Sequence, residues 1–163
     1  MENTSTSYLA LIGDIIDSKK IKNRKEIQLQ LIDAFSKIQQ LYGAKIVSKL
    51  TMTVGDEFQA LLKPQADIWK LIDHLSILSP APFRLGLGLG HISTQIDPDL
   101  SLGADGDAYW RARDAIQIVH TENWGGKSHI LFKGPSERQN QTINSLILAG
   151  ETIKSSWSQG QKE

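Results

Sequence analysis

Residues 45–63 read KIVSKLTMTVGDEFQALLK and contain two strand-like runs separated by a tight-turn sequence. The runs cover residues 45–54 and 58–63; both are rich in apolar side chains, and the first is also rich in β-branched ones. Between them, residues 54–57 (VGDE) place a Gly-Asp dipeptide where the chain must reverse. The segment is therefore predicted to be a β-hairpin, which supplies two neighbouring strands of a sheet.

A buried strand and an amphipathic helix precede the hairpin. Residues 8–14 (YLALIGD) form a short apolar run that ends in glycine and a carboxylate, which is typical of a buried strand. In residues 22–42, apolar side chains recur at intervals of three and four, so one face of a helix is apolar. A strand, a crossover helix and a hairpin together form the first part of a split βαβ arrangement.

The rest of the chain alternates helices with strands. We predict helices at 65–78, 108–119 and 137–156, and strands at 83–93 and 127–133. The strand at 83–93 (FRLGLGLGHIS) alternates glycine with apolar residues, which suits close packing of a helix on one face. The predicted fold class is α+β, with a ferredoxin-like βαββαβ core followed by an added C-terminal strand and helix.

Composition and charge exclude several classes of function. The 163 residues, a usual size for one domain, include 18 Lys+Arg and 18 Asp+Glu, so the formal net charge is zero. A domain that binds nucleic-acid backbones usually has a basic excess. The absence of cysteine excludes disulfides, thiolate zinc sites and a cysteine nucleophile. Because residues 1–7 are polar and no apolar run approaches the ~20 residues of a membrane span, we expect a cytoplasmic domain that binds neither nucleic acid nor membrane.

Two acidic positions are predicted to meet at one edge of the sheet. Asp14 ends the first strand and Asp56 lies at the hairpin tip. Two close carboxylates repel each other unless a proton or a cation lies between them. Mg²⁺ is commonly held by one or two carboxylates together with substrate phosphates. A structural alternative stays open, because Gly-Asp is a favoured turn dipeptide and an aspartate after a strand commonly caps a turn. On these two residues alone, the structural interpretation is favoured.

Four segments, taken in order, resemble one family of enzymes. Residues 11–17 (LIGDIID) and 84–92 (RLGLGLGHI) are similar to strands of class III nucleotidyl cyclases, and 106–115 (GDAYWRARDA) is similar to their arginine-bearing helix. Residues 53–62 (TVGDEFQALL) are similar to the cyclase hairpin and to the GGDEF signature of diguanylate cyclases. The resemblance implies a palm domain of nucleotidyl cyclase type.

The same string also resembles the bacterial SatD family. Members of that family tend to carry a small helix-turn-helix after a Trp-x-x-x-Gln segment, which Trp157 and Gln161 match. The resemblance therefore implies a cyclase-like palm over residues 1–157. Residues 158–163 would then begin a linker or tail that leads to a helix-turn-helix outside this chain.

Ten residues are candidates for the site, either through the resemblance or through their position next to Asp14. The metal ligands for Mg²⁺ or Mn²⁺ would be Asp14 and Asp56. The catalytic residues would be Arg113, Glu57 and Lys19. The nucleotide-binding residues would be Ile15 (through its carbonyl), Asp17, Ser18, Gly55 and Arg111. For Ser18 and Lys19 the equal alternative is a solvated helix entry with Asp17 or Ser18 as its cap. At most one of Arg111 and Arg113 faces a site, because residues two apart on a helix point in different directions. Two positions depart from the cyclase pattern: Val54 replaces the first glycine of the signature, and Tyr109 stands four residues before Arg113, where cyclases have asparagine.

The resulting hypothesis is a regulatory domain that binds a nucleotide and a divalent metal and serves as the sensor part of a transcriptional regulator. Two alternatives stay open. One is an active nucleotidyltransferase or cyclase that uses Mg²⁺ and a nucleoside triphosphate, and the other is a non-catalytic dimerisation module. A homodimer is expected from the resemblance alone. Residues 95–107 are interpreted as a solvated acidic loop, and the four histidines are expected to be mostly structural or on the surface.

Overall fold

A computed structural model describes residues 6–122 and 128–157. Within these ranges the chain forms five strands and four helices in the predicted order. The strands are β1 (Tyr8–Ile15), β2 (Ile46–Met52), β3 (Glu57–Leu62), β4 (Phe83–Gly90) and β5 (Ile130–Lys133). The helices are α1 (Arg24–Tyr42), α2 (Ile68–Leu78), α3 (Asp107–Glu122) and α4 (Glu137–Ser155). Short 3-10 turns at Ser18–Lys20 and Gly43–Lys45 flank α1 and were not predicted.

The five strands form one sheet in the order β2-β3-β1-β4-β5. β1 lies at the centre and is antiparallel to both β3 and β4, and β3 is antiparallel to β2. β5 is added beside β4 and runs parallel to it. The order of the first four strands is that of a ferredoxin-like sheet, so the predicted α+β class and the predicted hairpin are confirmed.

The sheet has two faces of different character. One face, which we call the α1 face, carries Leu9, Leu11 and Ile15 of β1 and packs on large side chains of α1 and α2, with a contribution from α4. The opposite α3 face carries Ala10 and Ile12 and packs on α3. This division follows from the period of two along a strand, which sends successive side chains to opposite faces.

The α3 face owes its close packing to the glycines of β4. A Cβ atom at Gly88 would lie 2.0 Å from the carbonyl oxygen of Ala108, and one at Gly86 would lie 2.1 Å from that of Ala112. The backbone of α3 therefore lies where side chains would otherwise stand. This confirms that the alternating glycines admit a packed helix.

The predicted strand at 83–93 is three residues too long. β4 ends at Gly90, because the following residues bond to the segment that leads into α3. The amide of Ala108 donates to the carbonyl of His91, and the amide of Ser93 donates to that of Asp105 (2.8 Å). Lys127, the first residue of the predicted strand at 127–133, lies outside the described residues.

Segments outside the sheet bond to residues of both edge strands. At the β5 edge, the Asn144 amide of α4 accepts a hydrogen bond from the Phe132 N–H and donates one to the Phe132 carbonyl, each at 2.8 Å. At the β2 edge, the Lys49 N–H donates to the Pro98 carbonyl, and the Ser48 hydroxyl donates to the Asp97 carbonyl. In the described part of the chain, no helix is both long and apolar enough to cross a bilayer.

Candidate functional site

The C-terminal end of β1 lies between the beginnings of β3 and β4. In the sheet register, Asp14 is directly opposite Glu57 on one side and Arg84 on the other. The Ile15 N–H donates to the carbonyl of Asp56 (3.3 Å), so the hairpin turn adjoins this end of β1. The segments that carry the predicted acidic residues therefore do meet at one edge of the sheet.

The Asp14 carboxylate is engaged from two elements on the α3 face. Its Oδ1 accepts a hydrogen bond from Nη1 of Arg84 at 3.3 Å, and its Oδ2 contacts Nε2 of His120. The Asp14 side chain is only 14% exposed, so these two contacts lie in an environment from which water is largely excluded. Arg84 is fixed by the β1–β4 pairing, whereas His120 is supplied by the last turns of α3.

A second ion pair lies beside the first. Nη2 of Arg113, on α3, is 3.6 Å from Oε1 of Glu57, whose carboxylate also accepts a hydrogen bond from the Thr53 hydroxyl (3.3 Å). The Arg113 side chain is 60% exposed. The structure thus brings together two of the residues predicted to be catalytic. The five charged or polar side chains at this end of the α3 face form what we call the ion cluster: Asp14, Glu57, Arg84, Arg113 and His120.

A cleft opens at the same end of the sheet, but on the α1 face. Its volume is about 340 Å³, and it lies between the start of α1 and the turn that joins β2 to β3. Four predicted site residues line it, namely Ile15, Ser18, Gly55 and Asp56. Two cationic residues from the first turn of α1, Arg24 and Lys25, also line it. We call this feature the α1 cleft.

The two predicted metal ligands therefore lie in different environments. Asp56 lines the α1 cleft, whereas Asp14 bonds to groups of the ion cluster on the other face. Among residues 6–122 and 128–157, no three His, Cys, Asp or Glu side chains are grouped so that they could hold a metal ion. Joint ligation of one cation by the two aspartates stays a prediction.

Three other predicted residues lie away from both features or at their margin. Asp17 adopts a left-handed backbone conformation (φ 54°) and pairs with Lys20 at 3.1 Å. Lys19 is exposed in the same 3-10 turn. Arg111 lies toward the opposite end of β4, where its Nη1 donates to the carbonyl of Leu89 (2.7 Å) and so fastens α3 to the sheet. The structure does not bring Arg111 to the cleft.

Tyr109, which lies four residues before Arg113 on α3, belongs to the core. Its side chain is 5% exposed and packs in the cluster that contains Ala10, Ile12 and Leu61. Burial raises the pKa of Tyr109 well above its ordinary value, so the hydroxyl stays protonated. That hydroxyl has no hydrogen-bond partner among the described residues. The position four residues before Arg113 is therefore a core position, whereas Arg113 itself forms an ion pair with Glu57.

Comparison with protein families matches residues 8–163 to the SatD family. The chain belongs to the SatD family. Among solved structures, two of a bacterial light-regulated adenylyl cyclase are similar to this SatD chain, each with 15% sequence identity. One has a TM-score of 0.52 and the match covers 78% of this chain and 75% of that one. The other has a TM-score of 0.55 and the match covers 94% of this chain and 46% of that one. These likenesses show the fold, a cyclase-type palm.

No curated protein matches the SatD chain, so its relatives do not add residue roles. Sequence reasoning missed two residues of the ion cluster. Arg84 was visible only as the first residue of a cyclase-like strand, and its pairing with Asp14 depends on the antiparallel register. His120 was grouped with the histidines expected to be mostly structural or on the surface, because no local pattern links it to β1.

Proposed function

We propose that this SatD domain binds a nucleotide together with a divalent cation in the α1 cleft. The observation that carries the proposal is the joint lining of the cleft by Asp56, Arg24 and Lys25. A carboxylate suits Mg²⁺ or Mn²⁺, and guanidinium and ammonium groups suit phosphate oxygens. A volume of about 340 Å³ lies within the range of small-molecule and cofactor sites.

The remaining walls of the cleft suit the other parts of a nucleotide. Apolar side chains supply a surface on which a base or a sugar can pack, and Gln28 adds an amide. These apolar residues are Ile15, Ile21, Ile27, Leu31 and Met52. The 3-10 turn that contains Ser18 borders the cleft next to the end of β1, where phosphates would lie near the carboxylates.

The donors present are those that a hard divalent cation prefers. Asp56 supplies a carboxylate in the cleft, and Ile15, which also lines it, would supply its carbonyl; the Asp14 carboxylate would join them only after leaving Arg84 and His120. When bound, Mg²⁺ or Mn²⁺ would neutralise phosphate charge between these oxygens. Arg24 and Lys25 would hold the outer phosphates, and Asp56 would fix the position of the cation.

Binding is proposed in preference to turnover. In the described structure, Arg113 pairs with Glu57 on the α3 face and Tyr109 is buried, so neither stands in the α1 cleft. A binding domain of this kind serves as a sensor, in which an attached segment responds to the nucleotide. The homodimer and the attached DNA-binding segment are proposals that rest on the family resemblance.

Thermal denaturation tests this proposal. We expect ATP or GTP with Mg²⁺ or Mn²⁺ to raise the melting temperature, because a ligand that binds only the folded state stabilises it by about 2.7 kcal/mol at 100 times Kd. Asp56→Asn should lose the metal-dependent part of the shift. Asp114→Asn is the matched control, since Asp114 forms an exposed pair with Lys133 at 3.7 Å.

Two outcomes would contradict the proposal. One is the absence of stabilisation by either nucleotide with either metal, and the other is an equal shift in Asp56→Asn and in the wild type. Incubation with labelled triphosphates then separates binding from turnover. Conversion of the label to a cyclic or transferred product would favour the nucleotidyltransferase or cyclase alternative.

A further inference from the structure

Of the two predicted metal ligands, Asp14 is the one whose carboxylate already bonds to other side chains. One carboxylate oxygen faces the Arg84 guanidinium and the other faces the His120 imidazole. These two partners come from β4 and α3, and both lie on the face opposite the α1 cleft. An ion that uses Asp14 and Asp56 together must therefore compete with Arg84 and His120 for the same carboxylate.

Charge makes this competition direct. The Arg84 guanidinium keeps its positive charge at all ordinary pH values, and its Nη1 lies 3.3 Å from Asp14 Oδ1. A divalent cation on that oxygen would stand next to a fixed positive charge in a site where the carboxylate is only 14% exposed. Like charges at such distances repel strongly where water is largely excluded.

The direction of the Asp14 side chain also opposes ligation of a cation in the α1 cleft. Asp14 is the last but one residue of β1, and its side chain belongs to the set that faces α3. To reach the α1 cleft, the carboxylate must turn away from His120 toward the end of the strand. This movement would remove a contact that holds the last turns of α3 against the sheet.

We propose that Arg84 and His120 form a latch on Asp14, which opens when the α1 cleft takes up a divalent cation and so loosens the C-terminal end of α3. The inference rests on the proposed function, since it concerns the same cation. It adds a regulatory consequence: binding of a cation on the α1 face would change the contacts of α3 on the opposite face. Such coupling is reciprocal, so breaking the latch must strengthen cation binding.

Titration of the full chain with Mn²⁺ alone, at one fixed pH, tests the latch. We expect Arg84→Gln and His120→Gln to bind Mn²⁺ about 10-fold more tightly than the wild type in isothermal titration calorimetry. Arg138→Gln and His129→Gln are matched controls in α4 and at the start of β5, and they should bind as the wild type does. Two different latch variants keep the test decisive if one of them fails to fold.

Arg113→Gln separates a specific latch from general electrostatics. Arg113 is a cation of the same cluster, but it pairs with Glu57 rather than Asp14. An equal gain of affinity in Arg113→Gln would overturn the latch, and so would unchanged or weaker binding in both Arg84→Gln and His120→Gln.

Asp14→Asn distinguishes failure of the latch from failure of the metal site. If Asp14→Asn and Asp56→Asn bind Mn²⁺ as the wild type does, the metal site itself is wrong. If they lose binding while the latch variants gain none, only the latch is wrong. Hydrogen exchange supplies an independent readout: Mn²⁺ should speed exchange in residues 117–122 of the wild type and leave it unchanged in Asp56→Asn.

Discussion

The two faces of the central sheet are covered by helices in opposite ways. On the α1 face, large aliphatic and aromatic side chains such as Leu11, Phe35 and Leu75 fill the space between the strands and three helices. On the α3 face, one helix lies almost directly on the backbone of β4, with alanines facing glycines. The first face is packed through large side chains, whereas the second is packed through close approach of two backbones.

This difference has consequences for adaptability and for function. Side chains can change rotamer, so a core of large residues adjusts to small changes of shape. Contact between two backbones leaves no such freedom, because neither partner can move without moving its element. The α1 face leaves a cleft beside α1, whereas α3 is held closely to β4 and carries Arg113 near its middle and His120 near its end.

The largest expected effect comes from adding one methyl group to the α3 face. In Gly88→Ala, the new Cβ would meet the Ala108 carbonyl oxygen at 2.0 Å and the Ala112 nitrogen at 2.4 Å. Because both are backbone atoms, we expect the free energy of unfolding to fall by about 3 kcal/mol, at the upper end of overpacking costs. Urea denaturation followed by circular dichroism measures this change.

Two controls sharpen the comparison. Gly150→Ala places the same methyl group in α4, where nothing lies within 4 Å, and it should raise stability by about 0.5 kcal/mol or more through helix propensity. Leu11→Met keeps the side-chain volume on the α1 face and should cost less than about 1.5 kcal/mol. If Gly88→Ala is as mild as Leu11→Met, the two faces do not differ as the packing indicates.

A smaller effect of opposite sign is expected at Tyr109. Tyr109→Phe removes a buried hydroxyl that has no partner in the described structure, so the free energy of unfolding should rise by about 1 kcal/mol at neutral pH. Above about pH 10 the unfolded chain ionises at this tyrosine while burial keeps the folded pKa raised. The unfolded state then binds fewer protons, so wild-type stability falls as the pH rises.

Urea denaturation of Tyr109→Phe and the wild type, at about pH 7.5 and about pH 10.5, checks both signs. The advantage of the variant should be larger at the higher pH. Tyr8→Phe, at a half-buried position of β1, is the control. A loss of stability in Tyr109→Phe would mean that the hydroxyl is hydrogen-bonded in solution.

The smallest expected effect concerns the exposed part of the ion cluster. The Arg113 and Glu57 side chains are 60% and 32% exposed, so solvent screens their attraction. We expect a double-mutant cycle with Arg113→Gln and Glu57→Gln to give a coupling of at most about 0.5 kcal/mol, which falls with added salt. A coupling above about 1 kcal/mol would show that this pair, and not only helix packing, holds α3 to the sheet.

The sequence predicted the fold because its signals are local. The apolar runs of β2 and β3, the apolar stripe of α1 and the Gly-Asp turn each concern residues a few positions apart. The glycine stripe of β4 even predicted which kind of partner covers it. The boundaries were less accurate where distant segments decide them, as at Gly90, where bonds to the α3 approach end the strand.

The candidate site was predicted only in part, since its pairings are non-local. The sequence indicates that Asp14 and Asp56 reach the same edge, but their faces depend on register and on the turn. A slip of one residue in β1 would send the Asp14 side chain to the other face. The partnership with His120 further depends on how α3 is rotated on the glycines, which no spacing in the chain reveals.

The bonds made to the edge strands restrict the addition of a further strand at those residues. An exposed edge strand offers unpaired N–H and C=O groups, onto which a strand of another molecule can add without limit. Here the amide of Asn144 occupies both groups of Phe132 as a neighbouring strand would, and Pro98 occupies the Lys49 N–H at the other side. The backbone groups of Phe132 are therefore not available to a strand of another molecule, and the helix α4 blocks strand addition at this point of the β5 edge.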